Sequence, residues 1–256
     1  MSAAALASLI RERQPCVVLT GAGVSTESGI PDFRSATGIW AEIDPFEVAS
    51  LRAFRRDPER VWSFYRERLH VLRDATPNAA HVVLAELEKR GFVQAVVTQN
   101  IDLLHGRAGS REVVEVHGSI RSATCPGCGE REPLERVLQL LADCDAPACP
   151  VCAEILKPDV VFFGELLQAA AIERASELAR SAGLLLVVGS ALEVYPVAGL
   201  PEETLAAGGQ LAIVNRGPTP YDARAALRID GSAGEVLARV AEALRGEQPQ
   251  EPQHAR

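Results

Sequence analysis

A chain of 256 residues, 47% of them hydrophobic, is long enough to bury a substantial core as one large domain or two unequal ones. Its net charge of −8 counts against a nucleic-acid binder, which usually carries a basic surface, and does not exclude basic, lysine-bearing peptide partners. No apolar run approaches the ~20 residues of a membrane span. The opening stretch, broken by Arg11, Glu12 and Arg13, lacks the plan of a secretory signal, so a cytoplasmic protein without membrane attachment is expected.

In chain order, Cys16 to Thr20 is a β-branched apolar run between Pro15 and Gly21 and predicts a buried strand. Similar runs at Gln94 to Thr98, Val113 to Val116, Leu184 to Gly189 and Leu211 to Asn215 suit a parallel sheet covered on both faces. Between them, Ala79 to Lys89, Ala169 to Ala179 and Gly234 to Leu244 carry helical spacing. Strands alternating with helices predict a doubly wound, Rossmann-like α/β fold.

Two stretches break the rhythm. An aromatic-rich helical insertion is expected over about 39–72, and a small module with several prolines and both cysteine pairs over about 122–156. The Rossmann-like part then covers about 14–38, 73–121 and 157–246, and the polar, proline-containing residues 247–256 read as a disordered tail.

Four of the six cysteines form Cys125-Pro-Gly-Cys128 and Cys149-Pro-Val-Cys152, about twenty residues apart. Each pair fits a tight turn, and two such turns present four thiolates to one zinc ion. Four protein ligands leave no position for water, so the zinc is expected to be structural. Redox-active or simply reduced thiols are the alternative. Cys16 starts an apolar strand and reads as core.

The first strand runs into Gly21-Ala22-Gly23-Val24-Ser25-Thr26-Glu27-Ser28-Gly29. Glycines permit close approach of backbone to phosphate, and a following helix N-terminus offers free N–H groups. The spacing departs from G-x-G-x-x-G, so the loop alone is equally a plain strand-to-helix turn. Extended through Ile30-Pro31-Asp32-Phe33-Arg34-Ser35, however, the string resembles the cofactor motif of the sirtuins. So do Thr98-Gln99-Asn100-Ile101-Asp102-Leu103-Leu104-His105, Val116-His117-Gly118-Ser119, Lys157 to Glu165, Gly189-Ser190 and Val214-Asn215-Arg216. The motifs occur in that family's order over nearly the whole chain.

The resemblance implies NAD-dependent removal of acyl groups from protein lysines, with NAD as co-substrate and acyl-lysine peptides as substrates. In that chemistry the acyl oxygen attacks C1′ of the nicotinamide ribose, nicotinamide leaves, and the acyl group ends on ADP-ribose. It makes His117 the general base, with Asn100 beside it in the catalytic set. Gln99, Asn100, Ile101 and Asp102 would hold the ribose and nicotinamide. Gly21, Ala22, Gly23, Ser25 and Thr26 would line the phosphate site, with Phe33 and Arg34 on a mobile loop over it. Gly189, Ser190, Asn215, Arg216 and Ala233 would make later cofactor contacts. Val161, Phe162, Gly164, Glu165, Val194 and Tyr195 match segments that pair with an extended substrate peptide. His105 reads as structural; His70, His81 and His254 read as surface or helix residues.

Tyr65 and Arg68 form a Tyr-x-x-Arg pair, which in the branch that prefers succinyl- and malonyl-lysine binds the acyl carboxylate. Ala191 stands where the family commonly has a second serine, and Leu103 where a smaller or polar residue is usual. Two other functions remain open at this stage. One is transfer of ADP-ribose to a protein side chain, which also begins with loss of nicotinamide. The other is a non-enzymatic zinc-ribbon interaction protein.

Overall fold

The computed structural model describes residues 2–247, so the tail expected to be disordered lies, from residue 248 onward, outside the described residues. The elements run α1 (Ala3–Glu12), β1 (Cys16–Thr20), α2 (Pro45–Val48), α3 (Leu51–Arg56), α4 (Pro58–Asp74), α5 (Ala79–Lys89), β2 (Ala95–Thr98), α6 (Leu104–Ala108) and β3 (Val113–Glu115). They continue with β4 (Gly118–Thr124), β5 (Arg131–Pro133), α7 (Leu134–Asp143), β6 (Lys157–Val160), α8 (Ala169–Ser181), β7 (Leu184–Val188), α9 (Leu200–Ala206), β8 (Gln210–Val214), β9 (Leu227–Ile229) and α10 (Ala233–Ala243).

Six strands form a parallel sheet in the order β3-β2-β1-β7-β8-β9, the doubly wound arrangement, which reverses direction between β1 and β7. Every residue of β1, β2 and β7 is buried, because helices cover both faces. Alternate residues serve opposite faces. Val18, Leu184, Leu186 and Ala212 pack under α1, α5 and α10 against Leu6, Leu84, Leu237 and neighbours. Val17, Leu19, Leu185 and Ile213 pack on the other face against Leu178 of α8 and Leu200 of α9.

The second sheet, β5-β4-β6, is antiparallel and shares a third core with α2, α3 and α4. That core joins Trp62, Phe64 and Tyr65 of α4 to Phe162, Leu156, Cys125 and Cys149. The Trp62 indole donates a 2.8 Å hydrogen bond to the Leu156 carbonyl, tying the helical stretch to the cysteine module. Asp57 caps α4, and Pro58 sits in its first turn, where a missing N–H costs nothing.

The helix at 79–89 begins and ends where its spacing predicts, between an Asn78 capping box and Gly91. Several elements are additions to the sequence reading, among them α1, α6, α7, α9 and β9. The α1 helix is short, with Leu6, Ala7 and Ile10 buried. The α9 helix has only two turns behind Pro201, and β9 is an edge strand of three residues. The α9 and β9 elements are too short to raise a periodic signal, whereas α1 carries its buried residues at helical spacing. No helix among the described residues is long and apolar enough to cross a membrane.

Leu186 is fully buried on a central strand. Leu186→Ala is expected to lower unfolding stability by about 2–5 kcal/mol, measured as the shift of the urea midpoint.

Candidate functional site

The cofactor residues expected from sequence gather at the carboxyl ends of adjacent strands, where the sheet order reverses. Gly21 to Thr26 follow β1, Gln99 to Asp102 follow β2, Gly189 and Ser190 follow β7, Asn215 and Arg216 follow β8, and Ala233 opens α10. This end of a doubly wound sheet is where ligands bind.

Glycine is required here by contact between loops. A Cβ on Gly21 would stand 2.8 Å from the Gly189 carbonyl oxygen, and one on Gly23 would stand 2.9 Å from the Gly189 Cα. Gly189 has a φ of +62°, and a Cβ there would lie 2.3 Å from the Val24 amide nitrogen. The Gly23 amide donates to the Gly189 carbonyl at 2.9 Å. The loop after β1 is a seven-residue 3-10 helix, Ala22–Ser28, rather than an α-helix. Gly21 and Gly23 therefore serve loop-to-loop packing, a use the phosphate argument did not anticipate.

Next to this contact lies a buried polar network. Asn100 donates both amide hydrogens, to the Gly21 carbonyl at 3.2 Å and to Ser25 Oγ at 3.1 Å, so it has only Oδ1 left for another partner. Ser25 in turn donates to Asp102 Oδ2 at 2.7 Å, and Asp102 Oδ1 accepts from the Leu104 amide at 2.9 Å. Gln99 donates from Nε2 to Ser190 Oγ at 2.9 Å, and Ser190 Oγ also accepts from the Leu192 amide. Leu103 adopts the left-handed conformation, φ 65° and ψ 7°, at the turn into α6. A side chain is strained there.

His81 and His105 complete the network, and neither is on the surface. His81, read from sequence as a surface or helix residue, is a helix residue with no exposure, and His105 is 2% exposed. Their rings lie 4.8 Å apart. The Asn78 amide donates to His81 Nδ1, which puts the His81 hydrogen on Nε2, facing Ser25 Oγ at 3.4 Å. Thr20 donates to Thr98 at 2.8 Å and so accepts from His105 Nε2 at 3.0 Å, leaving the buried His105 Nδ1 without a partner. The signal for His81 was present in the sequence: it is the third residue of a helix capped by Asn78, on the apolar face.

His117 is half-buried at the end of β3, and its Nδ1 lies 3.0 Å from the Gln99 carbonyl. A carbonyl only accepts, so Nδ1 carries the hydrogen and Nε2 keeps its lone pair. Burial lowers the His117 pKa, the Gln99 hydrogen bond opposes this, and Arg34 adds a smaller downward push. The His117 carbonyl accepts from the Val161 amide at 2.9 Å, so the histidine stands beside the 161–165 segment. In that segment Phe162 is buried, Gly164 is exposed, and Glu165 pairs with Lys157 at 3.0 Å and accepts from the Phe162 amide. No backbone hydrogen bond reaches the Val161 carbonyl or the Gly164 amide among the described residues.

Phe33 stacks on Trp40 at 5.0 Å, and Trp40 on Phe64 at 5.8 Å. Arg34 reaches across to Glu193 at 3.1 Å, so the 31–40 loop contacts the segment that holds Val194 and the exposed Tyr195. Tyr65 is buried against Phe162, 5.8 Å between rings. Arg68 lies 3.6 Å over the Phe64 ring and donates to the Phe64 carbonyl. Glu27, unassigned from sequence, accepts from Ser232 Oγ at 2.5 Å and from the Gly234 amide at 3.0 Å, fastening the N-terminus of α10 to the first loop. Asn215 folds back on its own turn, and Arg216 is exposed.

The sulfurs of Cys125, Cys128, Cys149 and Cys152 lie within 4.8 Å of one another, with close pairs at 3.4 and 3.5 Å. These distances bracket the ~3.8 Å edge of a tetrahedron with Zn–S of about 2.3 Å, and are far beyond a disulfide bond. The Cys128 amide points at the Cys125 sulfur and, as the largest influence, helps hold that thiol at about 7. The quartet fits a structural zinc ion. Cys16, by contrast, is pushed up to about 12 by burial and is inert.

Residues 21–196 match the sequence model of the Sir2 family. The chain is 42% identical over 243 residues to an NAD-dependent protein deacylase of Pyrococcus furiosus, covering 94% of this chain and 97% of that one. It is 43% identical over 234 residues to an NAD-dependent protein deacetylase of Thermotoga maritima, covering 91% and 95%. A solved Sir2 histidine variant with deacetylated p53 peptide and 3′-O-acetyl-ADP-ribose superposes with a TM-score of 0.92 at 42% identity, covering 94% of this chain and 98% of that one.

Two measurements test the site's supports. A strong chelator is expected to release one zinc per chain, counted with a colorimetric dye, and to shift the fluorescence of Trp62, which is bonded to the module. Burial holds His105 at about 3, with His81 adding to the shift, against 6.5 for a free histidine. The unfolded chain thus takes up a proton that the folded chain refuses. The stability contributed is complete above pH 6.5 and is lost as pH falls from 6.5 toward 3, at about 1.4 kcal/mol per pH unit for each such histidine. The urea midpoint of His105→Asn should fall less steeply between pH 6.5 and 5 than that of the parent.

Proposed function

The chain belongs to the Sir2 family, and we propose on that premise that it removes acyl groups from protein lysines at the expense of NAD, releasing nicotinamide and O-acyl-ADP-ribose. The observation that carries the reading is the tautomer of His117. With Nδ1 bound to the Gln99 carbonyl, Nε2 is the free base, on a residue bonded through its backbone to the segment expected to hold the substrate. Because burial lowers its pKa, His117 is neutral at pH 7 and able to accept a proton from a ribose hydroxyl.

Bound NAD supplies the electrophilic sugar carbon and the nicotinamide that leaves it. The other tasks fall to the chain. Asn100 Oδ1 and Gln99 Oε1, the acceptors left over from the internal network, orient the ribose and carboxamide. Phe33, stacked on Trp40, shields the sugar carbon from water, and Arg34 exchanges Glu193 for a phosphate. The Val161 carbonyl and Gly164 amide pair with an extended peptide. Two Cys-x-x-Cys pairs gathered as a zinc site rather than as disulfides support a cytoplasmic location.

A second activity within this reading is removal of acidic acyl groups. Arg68 is half-buried, burial is the largest influence lowering its pKa, and its Nε has no partner. No carboxylate meets it among the described residues, whereas Tyr65 lies three residues away on the same helix face. A succinyl or malonyl carboxylate satisfies that guanidinium.

The purified protein is incubated with NAD and matched acetyl-lysine and succinyl-lysine peptides, and the products are followed by mass. Both acyl groups should be lost from parent reactions and retained with His117→Ala. Arg68→Ala should slow desuccinylation at least ten-fold more than deacetylation. Nicotinamide release with ADP-ribose attached to protein would replace deacylation by ADP-ribosyl transfer.

A further inference from the structure

Two grooves meet at Leu51 and Gly164, and their charges differ. One, about 430 Å³, is lined by Lys157, Asp159, Glu165 and apolar neighbours. Its charges are already satisfied: Lys157 pairs with Glu165, and Asp159 with Arg131 at 2.9 Å. The other, about 580 Å³, lies between α3 and Phe163–Gly164 and has Arg52, Arg55 and Arg56 in its wall with no acidic residue. Its apolar side is Phe46, 55% exposed, packed on Phe163 at 5.2 Å between rings.

This cationic groove stands against the charge of the whole chain, which is −8. Glu47 neutralises part of it, pairing with Arg56 at 2.6 Å and with Arg60 at 3.1 Å. Arg52 and Arg55 have no carboxylate partner among the described residues, and both are exposed. Helix stability explains Arg55 and Arg56, which lie in the last turn of α3, where cations complement the helix dipole. It does not explain Arg52, the second residue of the helix, where a cation opposes the dipole.

The groove is also fixed in place relative to the peptide edge. The Leu51 amide donates to the Phe163 carbonyl at 3.0 Å, and the Phe163 amide donates to the Ala49 carbonyl at 2.9 Å. Ser50, which caps α3, bonds back to the Phe46 carbonyl at 2.6 Å. A peptide strand paired along 161–164 would therefore run beside the fixed α3 backbone that carries the exposed Arg52 and Arg55.

We propose that the groove walled by Arg52, Arg55 and Phe46 is a subsite for a carboxylate side chain of the substrate peptide, on one side of the acyl-lysine. The inference rests on the deacylase reading for the direction of the peptide. Binding there is a charge-assisted contact over an apolar floor, which suits the longer glutamate stem better than aspartate. The neighbouring groove, with its charges paired, confers no such preference.

The test uses acetyl-lysine peptides that carry a single Glu, Gln or Lys at each of the four positions before and after the acyl-lysine. KM is measured by turnover with NAD, and Kd by fluorescence anisotropy without NAD. Glu at one or two positions on one side only is expected to lower both KM and Kd about five-fold relative to Gln, the scale of an exposed ion pair, and Lys to raise them. In Arg52→Gln/Arg55→Gln the Glu peptide should rise to the value of the Gln peptide, and added salt should have the same effect. Equal Kd for Glu and Gln at every position, or an unchanged Glu preference in the double variant, would overturn the subsite. Absence of turnover with a Glu preference intact in Kd would overturn the deacylase reading and leave the subsite standing.

Discussion

Everything at the site depends on the backbone contact between the loop after β1 and the loop after β7. Strand order reverses at this point, so the two loops would diverge and leave a crevice unless something closes its base. Gly21, Gly23 and Gly189 meet there without side chains, and the Gly23 amide bonds the Gly189 carbonyl. A methyl group at any of the three would force the loops apart, and the displacement would pass to Asn100, which bonds the Gly21 carbonyl. The depth of the crevice is thus set by main chain, and the polar side chains are arranged above it.

A second layer of control is the set of groups that have already spent their donors. Asn100, Gln99, Ser25 and Asp102 bond one another and the loops, so each presents a defined remainder to a ligand. Such preorganisation removes the reorientation that free polar side chains would undergo on binding. The buried histidines support it from beneath, at the expense of an unsatisfied His105 nitrogen, a cost of roughly 1–3 kcal/mol. Two neutral imidazoles here carry a hydrogen-bond pattern with no net charge beside the Asp102 carboxylate.

Much of this was readable in the sequence, for physical reasons that differ by element. Buried parallel strands announce themselves because both faces are apolar, as in Cys16 to Thr20 and Leu184 to Val188. The cysteine pairs were readable because metal geometry restricts their spacing. His117 and the Gln99–Asp102 segment drew notice only through the long motifs around them, since a polar loop after a strand looks the same whatever it does. The short elements α9 and β9 were silent because they depend on tertiary packing. His81 and Glu27 were undervalued because their partners, Ser25 and Ser232, lie 56 and 205 residues away. The Arg52–Arg55 groove was invisible for the same reason: an arginine-rich helix is ordinary until Phe163 is seen beside it.

The pairing of Arg34 with Glu193 has a consequence for how cofactor affinity responds to its surroundings. Both side chains are more than a third exposed, so the pair is weak and easily exchanged. In the proposed exchange of Glu193 for a phosphate, Arg34 trades one anion for another rather than gaining a charge contact from nothing. Dissolved ions screen the contact that is broken as well as the contact that is made. On that proposal the resting ion pair acts as a counterweight, and NAD affinity is expected to be flatter across ionic strengths than the charge of the dinucleotide alone would dictate.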